Sequence, residues 1–138
     1  ADPQAVIQAN AARETYQFIG SPEGDLAIAQ AVVYLASAPK SNAVYKAHKL
    51  SSIRAKETGS LNPPMHILNA PTKMMKDMGY GDNYQYDHDT KDGFSGQNYF
   101  PESLEREQYY KPVDRGFERD IKKRLDYWDK LRREKQSD

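Results

Sequence analysis

The chain has 138 residues, 38% of them hydrophobic, and its twenty basic side chains balance twenty acidic ones. That length fits a single domain with a core of its own, while the absence of an overall positive charge argues against an autonomous, salt-sensitive DNA binder. With no cysteine, the chain can form neither a disulfide nor a cysteine-ligated zinc site, which fits a reducing cytoplasm.

The charge is unevenly spread. Residues 1–76 carry a small positive excess, residues 77–107 are acidic and residues 111–138 are basic. No apolar run is long enough to span a membrane, and the first residues lack a signal-peptide pattern. The chain starts without methionine at Ala1-Asp2-Pro3, and a processed protein or an excised piece of a longer one is expected.

Asp2 and Pro3 suit a helix start, because Asp can accept from free amides and Pro is tolerated in the first turn. Val6, Ala9, Ala12, Tyr16 and Ile19 then form one apolar stripe, and Gly20 ends it. A second helix is predicted from about Glu23 to Ala38. Leu26, Ile28, Ala29, Val32, Val33, Leu35 and Ala36 leave it little polar face, so burial on most sides is expected. Pro39 stops it. Ser41 can cap a third helix over about residues 42–58, closed by Gly59. Its expected apolar side is Val44, Tyr45, His48 and Ser52, with Lys46, Lys49, Ile53 and Lys56 on another side.

Pro63-Pro64 interrupts the chain, and residues 65–68 suit one short helical turn. Thr72 to Met78 reads as a short amphipathic helix ended by Gly79. From Tyr80 to Pro101 helical periodicity vanishes in a stretch rich in Gly, Asp, Asn and Tyr. Its aromatic content argues for a packed loop, since disordered segments are poor in aromatics. Asp114 is placed as the cap of a last helix reaching about Lys135. There Phe117, Ile121, Leu125, Trp128 and Leu131 make the cleanest stripe in the chain, which predicts a core position for Trp128. Residues 135–138 read as a polar tail. The fold class is all-α.

Four patterns invite a chemical reading. Ser37-Ala-Pro-Lys40 matches the Ser-x-x-Lys nucleophile pattern, but its companion Ser-Asp-Asn and Lys-Thr-Gly elements are missing, and a helix corner explains the four residues better. Tyr86-Asp87-His88-Asp89 could offer a carboxylate and an imidazole to a metal. The three histidines, at 48, 66 and 88, show no helical ligand spacing, and turn capping explains the tetrad. The loop tyrosines could stack nucleobases, but they sit in the acidic stretch, where phosphate is repelled. The basic faces of the third and last helices leave room for an auxiliary nucleic-acid contact through Lys46, Lys49 and Lys56. No phosphate-cradling Gly-x4-Gly-Lys-Ser/Thr loop occurs.

A longer pattern runs through nearly the whole chain. It comprises Ser21-Pro22-Glu23-Gly24, Ala29-Gln30-Ala31, Ala38-Pro39-Lys40-Ser41-Asn42-Ala43-Val44-Tyr45 and Asn69-Ala70-Pro71-Thr72-Lys73. It continues with Met78-Gly79-Tyr80-Gly81, Tyr84-x-Tyr86-x-His88-Asp89, Tyr99-x-Pro101, Tyr109-Tyr110-x-Pro112 and Arg115-Gly116-Phe117-Glu118. This ordered series resembles the C-terminal region of the RarA/MgsA family of replication-associated recombination AAA+ ATPases. That family is related to the Werner-helicase-interacting protein and, more distantly, to clamp loaders.

The resemblance implies a helical, collar-like domain that assembles subunits, with a tetramer expected, and no catalytic, cofactor or metal residue of its own. ATP and magnesium would belong to the ATPase module of a longer parent. The parent is expected to act at damaged replication forks in a bacterial cytoplasm, associated with the nucleoid. DNA and single-stranded DNA-binding protein are its expected partners, and no membrane is expected.

Overall fold

The computed structural model describes residues 1–137. Among these residues all regular structure is helical: α1 (Gln4–Ile19), α2 (Glu23–Ser37), α3 (Ala43–Thr58), α4 (Lys73–Asp77) and α5 (Glu118–Ser137), with 3-10 turns at Met65–Ile67 and Asp87–Asp89. The all-α expectation is met. The expected polar tail lies within α5 as far as Ser137, and Asp138 falls outside the described residues.

The chain forms two compact units. One contains residues 1–46 and 110–123; the other contains residues 47–109 and 124–138. The division falls inside α3, after Lys46, and inside α5, after Lys123.

In the first unit α1 and α2 form a helical hairpin. Asp2 accepts from the Gln4 amide at 2.9 Å and from the Tyr34 hydroxyl at 2.6 Å, tying the start of α1 to the end of α2. The hydroxyl of Tyr34, followed by the Gln4 amide, holds the Asp2 carboxyl below its ordinary value. The helices meet through small residues. Ala12 of α1 and Gly24 and Ala31 of α2 are buried, and a Cβ on Gly24 would come within 3.0 Å of the Tyr16 Cα. Small residues let the backbones approach closely, but they bury little apolar area.

The expected burial of α2 is therefore not found. Leu26 is 73% and Val33 69% exposed, and Val32 is exposed beside them. Only the side bearing Gly24, Ala27, Ala31 and Tyr34 turns inward. Likewise Val44, Tyr45 and His48, expected on the apolar side of α3, are exposed. The inward residues of α3 are small or polar, such as Ala43, Ser51 and Arg54.

The second unit is held by aromatic and ionic pairs. Trp128 of α5 stacks on Phe94 of the long loop, with ring centroids 6.4 Å apart and planes 14° apart. The Arg132 guanidinium lies 5.3 Å from the same Phe94 ring. Arg54 of α3 pairs with Glu107 at 2.5 Å, and that carboxylate raises the guanidinium's affinity for its proton. Phe100 and Tyr109 add a tilted ring pair at 6.2 Å. Trp128 itself is 42% exposed, so it clamps the loop from the rim and is not a core residue. Trp128→Ala is therefore expected to cost about 1–2 kcal/mol, below the 3–5 kcal/mol typical of a buried Trp. A urea midpoint measured at constant slope checks this.

Asp114 does not cap the last helix. It stands four residues before the first helical residue, Glu118. The turn between them is made by Gly116, whose φ of +52° belongs to the left-handed region and whose added Cβ would lie 3.0 Å from Pro39. Glycine is required there both by conformation and by space.

Candidate functional site

The Ala38–Asn42 corner connects α2 to α3, and the side chains of Lys40 and Ser41 are both engaged there. Lys40 folds back so that its ammonium donates to the carbonyls of Leu35 and Ala38, the latter at 2.8 Å. This places a cation at the C-terminus of α2, where the helix dipole is negative. The Ser37 hydroxyl donates to the Val33 carbonyl at 2.9 Å. Both members of the Ser-x-x-Lys pattern thus serve the helix end.

Ser41 performs two tasks. Its Oγ accepts from the Ala43 amide at 3.1 Å, capping α3 as expected, and its hydroxyl donates to Glu118 at 2.9 Å. Glu118 is 4% exposed. Its Oε2 also accepts from the Val113 amide at 2.8 Å, and the Tyr110 hydroxyl bonds to the same carboxylate. Burial alone would raise the Glu118 pKa. The Val113 amide, Ser41 and Tyr110 together outweigh it and leave the carboxyl below its ordinary value. Tyr110 is shifted upward, first by burial and then by its bond to Glu118. Sequence reasoning placed Ser41, Tyr110 and Glu118 in a common pattern but did not foresee this joint between them.

The pattern residues between Asn69 and Tyr109 lie in the second unit. Thr72 caps α4 by accepting from the Met75 amide at 3.2 Å. Asn69, Ala70, Gly81 and Tyr84 line one open cleft of about 560 Å³, together with His66, Ile67, Leu68 and Tyr99. Gly79 and Tyr80 belong to the backbone that shapes it: the Gly79 amide donates to Lys76, and the Tyr80 amide to Met75. Pro71 is exposed. Tyr109 packs on Phe100 outside the cleft lining, and its hydroxyl is shifted upward, first by burial and then by Glu107.

Tyr86, His88 and Asp89 lie in or beside the second 3-10 turn, and their side chains are exposed. The ring of His88 sits 4.9 Å from that of Tyr86. Asp87 accepts the Ser95 amide at 2.7 Å and is held below its ordinary value by the Ser95 hydroxyl and amide. The tetrad thus closes a loop, and no cluster of three metal-ligating side chains occurs among the described residues. Lys46, Lys49 and Lys56 are exposed on α3.

The largest unassigned feature is apolar. Leu26, Ala29, Val33 and Ala36 recur along one side of α2, and Ile7, Ala11 and Phe18 along one side of α1. All are exposed, Phe18 by 90%. Among the described residues no side chain is buried beyond 98%, and the buried apolar side chains are those of Ala12, Ala31, Ala43 and Pro64.

Residues 1–129 match the family described as MgsA AAA+ ATPase C terminal. The chain belongs to that family. It is 54% identical over 132 residues to the replication-associated recombination protein A of Coxiella burnetii, covering 95% of this chain and 30% of that protein. Against the protein of the same name from Escherichia coli K12 it is 48% identical, over 91% of this chain and 28% of the relative. Against ATPase WRNIP1 of Dictyostelium discoideum it is 42% identical, over 80% of this chain and 13% of the relative. The chain thus spans less than a third of these relatives. As a member of this family, it corresponds to the C-terminal region of an AAA+ ATPase. No described helix is long and apolar enough to cross a membrane.

Proposed function

We propose that this chain is the self-assembly domain of an AAA+ ATPase acting in replication-associated recombination and repair. A second copy of the chain would cover the exposed apolar faces of α1 and α2. The carrying observation is that exposure: large aliphatic and aromatic side chains lie in water while the buried apolar side chains are three alanines and Pro64. Contiguous apolar surface of this kind marks an interaction site.

Charge favours a second copy as the occupant. Between residues 4 and 38 the only charged side chains are Arg13, Glu14, Glu23 and Asp25, and none belongs to the apolar rows of Ile7, Ala11 and Phe18 or of Leu26, Ala29, Val33 and Ala36. Permanent homo-oligomeric interfaces commonly bury on the order of 2,000 Å² or more and are more apolar than transient ones. A tetramer is the proposed state, with ATP and magnesium bound by other parts of a longer parent. DNA and single-stranded DNA-binding protein are the parent's proposed partners. Multi-angle light scattering of the chain at micromolar concentration tests the reading. A multiple of the chain mass is expected, and a clean monomer overturns it.

A second reading, a nucleic-acid contact through α3, is favoured by one observation: Lys46, Lys49 and Lys56 are all exposed. Reversing all three to Glu should then weaken binding of single-stranded DNA and flatten its salt dependence by roughly 0.7 log unit for each phosphate no longer neutralised. Fluorescence anisotropy across a salt series measures this. An unchanged slope removes the reading.

A further inference from the structure

The geometry points to the cleft beside the Met65–Ile67 turn as a binding site for an arginine-bearing peptide segment of a partner protein. This inference rests on the cleft alone and is independent of the apolar faces of α1 and α2.

The cleft has the dimensions of a ligand site: about 560 Å³, within the usual range of roughly 300–1,000 Å³. It is formed by backbone bonding. The Gly81 amide donates to the Met65 carbonyl at 2.9 Å, the Leu68 amide to the same carbonyl at 3.2 Å, and the Tyr84 amide to Gly81 at 3.3 Å. Gly81 has a φ of +80°, and its added Cβ would lie 3.3 Å from the Leu68 carbonyl. The 65–69 and 81–84 backbones are therefore held together before any ligand arrives, which reduces the ordering cost of binding.

The lining selects the occupant. Tyr84 and Tyr99 are each about half exposed, and Tyr99 is paired with the His66 ring at 5.8 Å. These rings offer flat faces with hydroxyls, and the exposed Asn69 adds an amide carbonyl. No Lys or Arg lines the cleft. Gly81, Tyr84 and Tyr99 come from the 77–107 segment, which holds eight acidic side chains and two basic ones. A phosphate-bearing ligand would find no Lys or Arg in the lining to compensate its charge. A guanidinium meets aromatic faces to stack on and neutral oxygens to accept its planar fork of donors.

Amide chemical-shift titration of the full 138-residue chain with acetyl-Gly-Arg-Gly-amide tests the site. The arms are the equivalent lysine and glutamate peptides and a short oligothymidylate. Saturable millimolar shifts at Ile67–Ala70, Gly81 and Tyr84 are expected with the arginine peptide, weaker ones with lysine, and none with glutamate or oligothymidylate. Tyr84→Ala should weaken arginine binding roughly tenfold, and Asn69→Ala should weaken it less, with both variants keeping the dispersed spectrum of the folded chain.

Four results would overturn the assignment. These are no saturable shift at the cleft, equal binding of the glutamate peptide, preference for oligothymidylate, or arginine binding unmoved by Tyr84→Ala. The last would mean diffuse attraction to the acidic segment.

Discussion

Glu118→Ala is expected to lower the unfolding free energy by about 3 kcal/mol at neutral pH, read from urea denaturation. The carboxylate is 4% exposed and gathers three donors: the Ser41 hydroxyl, the Val113 amide and the Tyr110 hydroxyl. Alanine removes the common acceptor and leaves those donors without it. Each unsatisfied buried donor costs on the order of 1–3 kcal/mol, and relaxation recovers part of the total.

Glu118→Gln should cost less, about 1–2 kcal/mol, because the amide oxygen still accepts while its NH2 group faces donors. The pH dependence separates the two effects. The folded-state pKa of Glu118 lies below its ordinary value, so its contribution is complete above the ordinary carboxylate range. That contribution is lost as pH falls through the depressed folded value. Glu118→Gln should therefore be less stable than the parent at neutral pH and lose less on acidification. A variant whose acid-side slope equals the parent's would show that Glu118 titrates alike in folded and unfolded chains.

Helix ends were easy to read because they are local. Ser41 caps α3 as expected, and Gly20 and Gly59 stand immediately after α1 and α3; Thr72, read as the first residue of α4, is its cap. A cap needs only a side-chain oxygen and an amide two or three residues away. Asp114 failed as a cap for a related reason. The local signal was present, but the Gly116 turn and the Glu118 joint set the start of α5 four residues later. Ser41 and Glu118 are separated by 77 positions, and nothing in the composition of either neighbourhood announces their contact.

Burial was harder to read than helicity. An apolar pattern around α2 shows that the helix would gain by being covered, but not what covers it. Among the described helices the one packed on α2 is α1, and the buried residues of the pair are Ala12, Gly24 and Ala31. The same ambiguity misplaced Trp128, whose stripe spacing is that of a core helix although the ring sits at the rim against Phe94. The cleft was partly legible. Asn69, Gly81 and Tyr84 stood in the pattern that linked the chain to its family, but their convergence depends on a loop without helical periodicity. His66 carried no spacing signal at all.

Leu26→Glu with Val33→Glu is expected to convert the assembled chain to monomers, raising the dissociation constant at least roughly a hundredfold. The two residues lie seven positions apart on one side of α2, 73% and 69% exposed. In the isolated chain both substitutions face water, so helix content by circular dichroism should be retained. In an assembly they would place two carboxylates per subunit into an apolar interface that supplies no cation from α2, since Leu26 to Pro39 contains no charged side chain. Burying each unpaired carboxylate costs several kcal/mol, which exceeds what one aliphatic contact contributes.

Asn10→Glu on the polar part of α1 is the control, because it adds charge without entering the Leu26–Val33 stripe. Sedimentation velocity distinguishes the outcomes. Monomers from the double variant beside oligomers from Asn10→Glu place the interface on α2. Oligomers from both remove α2 from the interface and leave the exposed face of α1, led by Phe18 at 90%, as the surface to change next. Monomers from both would mean that assembly answers to net charge and not to the apolar stripe.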